Sequence, residues 1–198
     1  MEAQLFLELI GADDDPTDAC VLEAAAELIG ERGERAVTMT DIGERSGVAR
    51  ATIFRHFGSK QAVIDRTLQR ELRKFVVDLI TASAECESRS DTLAELIVLA
   101  VVFAHTNPAV RRLVDAEPER LVQFARSATP VEPMVIARAL ISGLVKRFQT
   151  PNDRLDVEHV ADLVAHLAIA YALVPNSSMD LADEDRLRTT MRALLCGL

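Results

Sequence analysis

Between Asp15 and Lys60 three stretches of helical pattern are punctuated by single glycines at Gly33, Gly47 and Gly58. That spacing permits one helix of moderate length and two of about two turns each, with tight corners between them. Asp15-Pro16 has the form of an N-cap followed by a proline at the first helical position. Val21, Leu22, Ala25, Leu28 and Ile29 then recur at helical spacing and make one apolar stripe, which Gly33 closes as a left-handed cap. Thr38 and Asp41 stand at the spacing of a capping box, with Asp where Glu is usual. Ile42 faces inward, Gly47 stops the second helix, and Val48 returns to the core. The third helix runs from Arg50 to Phe57, with Ile53 and Phe57 inside and Arg50, Ala51, Thr52 and Arg55 outside.

Two short helices joined by a Gly-Val turn, behind a longer one, form a helix-turn-helix pattern. A recognition helix must be short, exposed on one side and cationic, because it lies in the major groove beside phosphates. The segment VLEAAAELIGERGERAVTMTDIGERSGVARATIFRHFGSKQAV resembles the N-terminal DNA-binding domain of the TetR family of transcriptional regulators. The agreement covers about residues 17–65 and rests on the Ala-rich first stripe, Gly33, Thr38, Ile42, Gly47-Val48, Thr52-Ile53, His56-Phe57 and Ser59-Lys60.

The resemblance implies that Arg50, Ala51 and Thr52 read base edges. An Arg there can pair with guanine O6 and N7, for about 1–3 kcal/mol of discrimination. It places Thr40, Phe54, Arg55, His56 and Lys60 beside phosphates, Lys60 in the first turn of a long helix whose N–H groups also favour an anion. Three positions depart from the family pattern. Ala49 replaces a capping Ser, Phe54 replaces a Tyr whose hydroxyl reaches a phosphate, and Gly43 replaces an Ala. Arg55 offers a charged contact beside Phe54.

The chain has 198 residues, 49% of them apolar, and a net charge of −9. The overall charge opposes nucleic-acid binding, but its distribution does not. Residues 44–74 hold eight basic and three acidic side chains, a local balance of +5 that leaves −14 for the rest. Few glycines and prolines and much Ala, Leu, Glu and Arg give an all-α expectation: an acidic arm (1–14), a helix-turn-helix domain (15–60), and a helical effector and dimerisation domain (61–198). Asp91, Asn107-Pro108, Glu117-Pro118, Met134, Leu155 and Asp183 mark helix starts in that third part.

Reading a two-fold operator requires two recognition helices about 34–36 Å apart, and so a homodimer. The last two helices carry apolar faces suited to a four-helix interface. Val160, Val164, Leu167, Tyr171 and Val174 form one, with Ala161, Ala165, Ala168 and Ala172 beside it, and Leu187, Met191, Leu194, Leu195 and Leu198 form the other. The resemblance implies an effector pocket among the middle helices, for which Phe75, Leu79, Leu99, Phe103, Phe124, Leu144 and Phe148 are candidates, with His105, Asn107, Gln123 and Arg126 as nearby polar groups. So few polar groups point to a small hydrophobic effector.

The sequence offers no enzyme signature: no nucleophile elbow, no phosphate-binding glycine loop and no metalloprotease helix. No cofactor or metal is expected. His159 and His166 are seven apart, about 10.5 Å along a helix, too far to share one ion. Cys20, Cys86 and Cys196 lack metal-ligand spacing; Cys20 reads as a core thiol and Cys86 as a redox sensor only if exposed. The longest strictly apolar run, Leu96–Ala104, is about half a membrane span, and the acidic N-terminus does not resemble a secretory signal. The expectation is a cytoplasmic, ligand-released repressor bound to double-stranded DNA, without membrane association. The alternative is a helical ligand-binding or protein-interaction module whose DNA binding has lapsed.

Overall fold

The structure is a computed structural model that describes residues 14–126, 133–150, 156–174, 180–181 and 183–196. Among them there are ten helices and no strand. They are α1 (Pro16–Arg32), α2 (Met39–Ser46), α3 (Arg50–Phe57), α4 (Lys60–Ala84), α5 (Arg89–Thr106), α6 (Pro108–Ala116), α7 (Pro118–Ala125), α8 (Pro133–Lys146), α9 (Val157–Leu173) and α10 (Glu184–Leu195). The all-α expectation is met.

The N-terminal helices begin and end where local chemistry dictates. The Asp15 carboxylate accepts from the Thr17 and Asp18 N–H groups, satisfying two donors that have no partner within α1. Thr38 and Asp41 complete a reciprocal capping box on α2. Gly47 ends α2 at φ 71°, ψ 9°, the left-handed geometry of a helix C-cap. Gly33 ends α1 differently. Its φ of 82° is positive as expected, but its ψ of 158° is extended rather than left-handed helical, so the chain leaves α1 straight instead of coiling once more.

Later boundaries differ in detail. Ser88, not Asp91, caps α5; the Ser88 Oγ accepts from the Asp91 N–H, and Asp91 takes the third helical position. The two residues share one capping motif, and the smaller hydroxyl takes the cap. Helix α8 starts at Pro133 and stops at Lys146, leaving Phe148 beyond its end. Asp156 caps α9, while Leu155, Pro130 and the Pro175–Ser178 stretch lie outside the described residues, as do Leu198 and residues 1–13 of the acidic arm.

Two apolar cores result. The first joins α1, α2 and α3 through Val21, Leu22, Leu28, Ile29, Ile42 and Ile53. It also draws in Val63, Ile64 and Leu68 from the start of α4, and Ala109 and Leu113 from α6. The second fills the body between α4, α5, α8, α9 and α10. The apolar run Leu96–Ala104 belongs to it, with Leu96, Ile97, Val98, Val101 and Ala104 buried. Among the described residues no single helix is long and apolar enough to cross a membrane.

Candidate nucleic-acid interface and effector cavity

Helix α3 is held by Ile53, 1% exposed, and by Phe57, which packs at the margin of the same core. That fixes its roll, and the opposite face follows from helical geometry. Arg50, Ala51, Phe54 and Arg55 are exposed and Thr52 is half-buried. The Arg50 guanidinium lies 5.3 Å from the centre of the Phe54 ring, so the two side chains form one cation–π unit. Helix α3 has no side-chain cap, because Ala49 at the N-cap offers no acceptor. Its end charge is balanced at the other terminus, where Arg55 and His56 occupy the last turn.

The basic stretch is less cationic in space than in sequence. Arg45 binds Glu27 and Glu31 at 2.9 Å each, and these carboxylates hold the guanidinium well above its ordinary pKa. Arg66, Arg70 and Arg73 gather on Asp14, and Arg70 and Lys74 also reach Glu23. These acidic partners lie on α1 or just before it, a pairing that a count along the sequence does not reveal. Arg50, Arg55 and Lys60 remain, without an ion pair among the described residues; the first two stand on α3 and Lys60 begins α4. The unpaired positive charge of the stretch therefore lies on the recognition helix and at the start of the helix that follows it.

The remaining phosphate candidates sit around it. Thr40, in the first turn of α2, is exposed. His56 Nδ1 lies 2.7 Å from Asp18 Oδ1, which ties the end of α3 to the start of α1. Lys60 Nζ donates to the Glu34 carbonyl at 2.8 Å, so a phosphate would have to draw it from that acceptor. Among the described residues, Asp15, Asp18 and His56 are the one group whose atoms lie close enough to approach a cation. One Asp15 oxygen caps α1, and Asp18 is already bonded to His56.

The body encloses a cavity of about 400 Å³ between α4, α5, α6, α7, α8 and α9. Phe75, Leu79, Phe103 and Phe124 line it, and Phe75 stacks on Phe103 with ring centres 4.5 Å apart. Three other candidates do not. Leu99 falls at the margin of the cavity stripe Leu96, Ala100, Phe103 on α5. Leu144 continues the α8 stripe past the cavity's end, and Phe148 lies beyond α8 under the Arg147 guanidinium. Sequence reasoning missed Leu68, Leu72, Met134 and Ala137, and it missed the cavity role of Ala168 and Ala172. The alanine row on α9 was the available signal, since small side chains leave space as readily as they admit a neighbouring helix. Of the polar candidates only Arg126 lines the cavity; Asn107 caps α6 and donates to Glu71 at 2.6 Å.

The expected dimer face also needs correction. Val160, Val164, Leu187 and Met191 are 7% exposed or less and close the body's own core, so they are not available to a second chain. Tyr171 packs half-buried against that core. Leu167 and Leu194 do face outward, at 38% and 68% exposure. Leu163 and Val174 join them, at 69% and 62%. The α9 positions 163, 167, 170 and 174 follow one another at four, three and four, a single exposed stripe. The two faces of α9 are both apolar, and the sequence does not say which one the body takes.

Residues 21–67 match the family described as bacterial regulatory proteins, tetR family. Over those residues the chain carries a tetR-family DNA-binding domain. An HTH-type transcriptional repressor of Mycobacterium tuberculosis, Rv3405c, is 28% identical over 164 residues, covering 78% of this chain and 67% of that protein. Among solved structures, Salmonella enterica GusR aligns with a TM-score of 0.68 at 22% identity, over 94% of this chain and 97% of that one. The fatty acid degradation regulator FadR from Bacillus halodurans aligns with a TM-score of 0.67 at 17% identity, over 93% and 96%. The similarity to these two extends the TetR fold through the helical body. With the matched domain and these relatives, the chain is a DNA-binding regulator of transcription.

Proposed function

We propose that two copies of this chain bind a palindromic operator and leave it when a small hydrophobic effector enters the body. The observation that carries the reading is the outer face of α3: exposed Arg50, Ala51 and Arg55, with two of the region's three cations that lack a carboxylate partner standing there and Ile53 locked inside. In this reading Arg50, Ala51 and Thr52 read bases. Thr40, Phe54, Arg55, His56 and Lys60 hold the backbone, and the protein works in the cytoplasm where the operator is accessible. Domain limits follow the same scheme: an acidic arm (1–14), a DNA-binding domain (15–60) and an effector and dimerisation domain (61–198).

Dimerisation is supported by the stripe Leu163, Leu167 and Val174 with Leu194 close in sequence on α10, four exposed large apolar side chains on the last two helices. Burying each contributes about 1.5–3 kcal/mol at most. The pair would set the two α3 helices at the spacing of successive major grooves, and an effector that prefers a different spacing would shift the population away from DNA.

The test begins with selection of a binding site from random duplexes, followed by anisotropy titration. Arg50→Ala is expected to weaken the selected site at least tenfold while leaving random DNA nearly unchanged. Leu163→Arg is expected to yield monomers by sedimentation and to weaken operator binding without unfolding the chain. Equal affinity of wild type and Arg50→Ala for the selected site would refute the base-reading role. The absence of any selected site would favour the second reading, a ligand-binding module with lapsed DNA binding, which the uncapped N-terminus of α3 favours.

A further inference from the structure

We propose that the effector is an amphiphile with an anionic head: its apolar chain fills the cavity and its head group pairs with Arg126 at the opening. The inference rests on the effector reading of the cavity and specifies its chemistry.

Among the described residues the lining is uniformly apolar except at two side chains, Arg126 and His166. Both are exposed although they line the cavity, so they stand at its mouth, whereas Leu79 and Leu96 close its depth at 6% and 3% exposure. Among the described residues no carboxylate belongs to the lining. In a chain with net charge −9 that is informative, because carboxylates elsewhere claim the arginines. Arg120 is bound to Glu34 and Asp65, Arg138 to Asp162, Arg188 to Glu95 and Arg192 to Asp91. Arg126 follows the last residue of α7 and has no carboxylate partner among the described residues.

His166 adds a second polar edge. Its Nδ1 lies 2.7 Å from the Asp162 carbonyl oxygen and therefore carries the proton of that bond. The Asp162 carboxylate, 3.5 Å from the same ring nitrogen, is itself held by Arg138 at 3.1 Å. The mouth thus presents a fixed positive charge above an apolar interior.

Three ligand classes are separated by this arrangement. A cationic amphiphile meets Arg126 as a like charge. A neutral one gains the apolar contacts alone. An anionic one gains those contacts and a charge-assisted bond with the guanidinium, which accepts a carboxylate or phosphate in bidentate geometry. A charged hydrogen bond of this kind corresponds to about tenfold or more in affinity.

The experiment is calorimetric titration of the full chain, below micelle concentrations, with dodecanoate, dodecyl phosphate, dodecanol and dodecyltrimethylammonium. Dodecanoate or dodecyl phosphate is expected to bind at one per chain, at least tenfold tighter than dodecanol, with the ammonium weakest. The better of the two anions tells whether the head is a carboxylate or a phosphate. Arg126→Gln should bring the anion down to the affinity of dodecanol and leave dodecanol unchanged, while Arg126→Lys should keep most of the preference. Ala168→Phe, placed inside the cavity, should abolish all binding, with circular dichroism confirming the fold. Dodecanol binding as tightly as the anions, or an anion preference that survives Arg126→Gln, would overturn the head-group assignment and leave the cavity reading standing. Binding that survives Ala168→Phe, or no binding by any of the four, would overturn both.

Discussion

In the first sixty residues the backbone is fixed by punctuation; in the body it is fixed by contact. All three described residues with positive φ, Gly33, Gly47 and Gly58, lie in the first region, each at the end of a helix. Four carboxylates held below their ordinary range, Asp15, Glu23, Glu31 and Asp41, lie there too, with Glu158 as a counterpart in the body. The body relies on long apolar helices whose partners come from distant sequence. A surface that presents a few side chains at fixed angles needs defined corners, whereas the body around the cavity is shaped by contacts between helices distant in sequence.

The comparison is tested most severely where the two regions meet. Leu113 lies in α6 by sequence but is fully buried in the N-terminal core. Leu113→Ala is expected to cost about 2–5 kcal/mol, the range for a closed site that keeps a void, and to lower the urea midpoint of the whole chain in one transition. Val77→Ala, at an exposed position outside the proposed dimer stripe, should move it by no more than about 0.5 kcal/mol. Two separated transitions in Leu113→Ala would show that the cores fold independently and that α6 does not bind them together.

A polar junction lies beside it. Arg120 of α7 places Nε 2.7 Å from Glu34 Oε2 and also binds Asp65, while the Glu34 carbonyl receives Lys60. Both side chains of the Arg120–Glu34 pair are largely buried, at 14% and 12% exposure. Leu121 and Phe124 of the same helix face the cavity. Arg120→Ala would leave the Glu34 carboxylate desolvated without its partner, for an expected loss of about 3 kcal/mol. Glu34→Gln in the same background should recover part of that loss, and a double-mutant cycle should give about 1 kcal/mol or more of coupling. Additive losses would mean that the two helices are joined by apolar packing alone.

These cases show what the sequence makes legible. Asp15, Thr38, Asp41 and Ser59 act on amides within three residues of themselves, so their roles follow from spacing. The outer face of α3 is equally legible, because Ile53 and Phe57 leave one way for an eight-residue helix to turn. The body is not. Helix α9 is apolar on two sides, and choosing between Val160 and Leu163 as the buried one requires knowing where α5 and α8 lie. The neutralisation of Arg66 and Arg70 by Asp14, and the partnership of Arg120 with Glu34, span 52 to 86 residues. No local pattern encodes such distances, and Arg126 gains meaning only once the cavity is visible.

Acid should separate the two regions. Backbone N–H bonds from Asp18 hold Asp15 low, the Arg70 guanidinium holds Glu23 low, Arg45 does the same for Glu31, and the Thr38 hydroxyl for Asp41. A carboxylate whose folded pKa is depressed stabilises the fold fully above its ordinary value, and that contribution is lost as pH falls through the folded value. In the body Glu158, bound by Lys146 and Ser142, contributes in this way. On titration from pH 6 to 2.5, amide signals of α1 to α3 are therefore expected to lose their native dispersion before those of α8 and α9. The reverse order would mean that the caps and ion pairs of the N-terminal region contribute less than their geometry implies.

The smallest effect concerns the one corner of the N-terminal region where no side chain caps the helix that follows. Helices α1, α2 and α4 each have a side-chain cap, whereas α3, the helix that the proposed function presents to DNA, has none because Ala49 has no acceptor. Ala49→Ser supplies an oxygen for the orphan N–H groups of the first turn. It should raise stability by about 0.5–1 kcal/mol, read as a rise in urea midpoint with unchanged slope. Operator affinity should rise with it, because less of the cost of ordering the first turn of α3 is then met at binding. If stability rises and affinity does not, Ala49 costs the fold alone, and α3 already has its bound shape in the free protein. If affinity falls, the residue before Arg50 must remain small to let the backbone approach a phosphate, and the missing cap is then a requirement of binding.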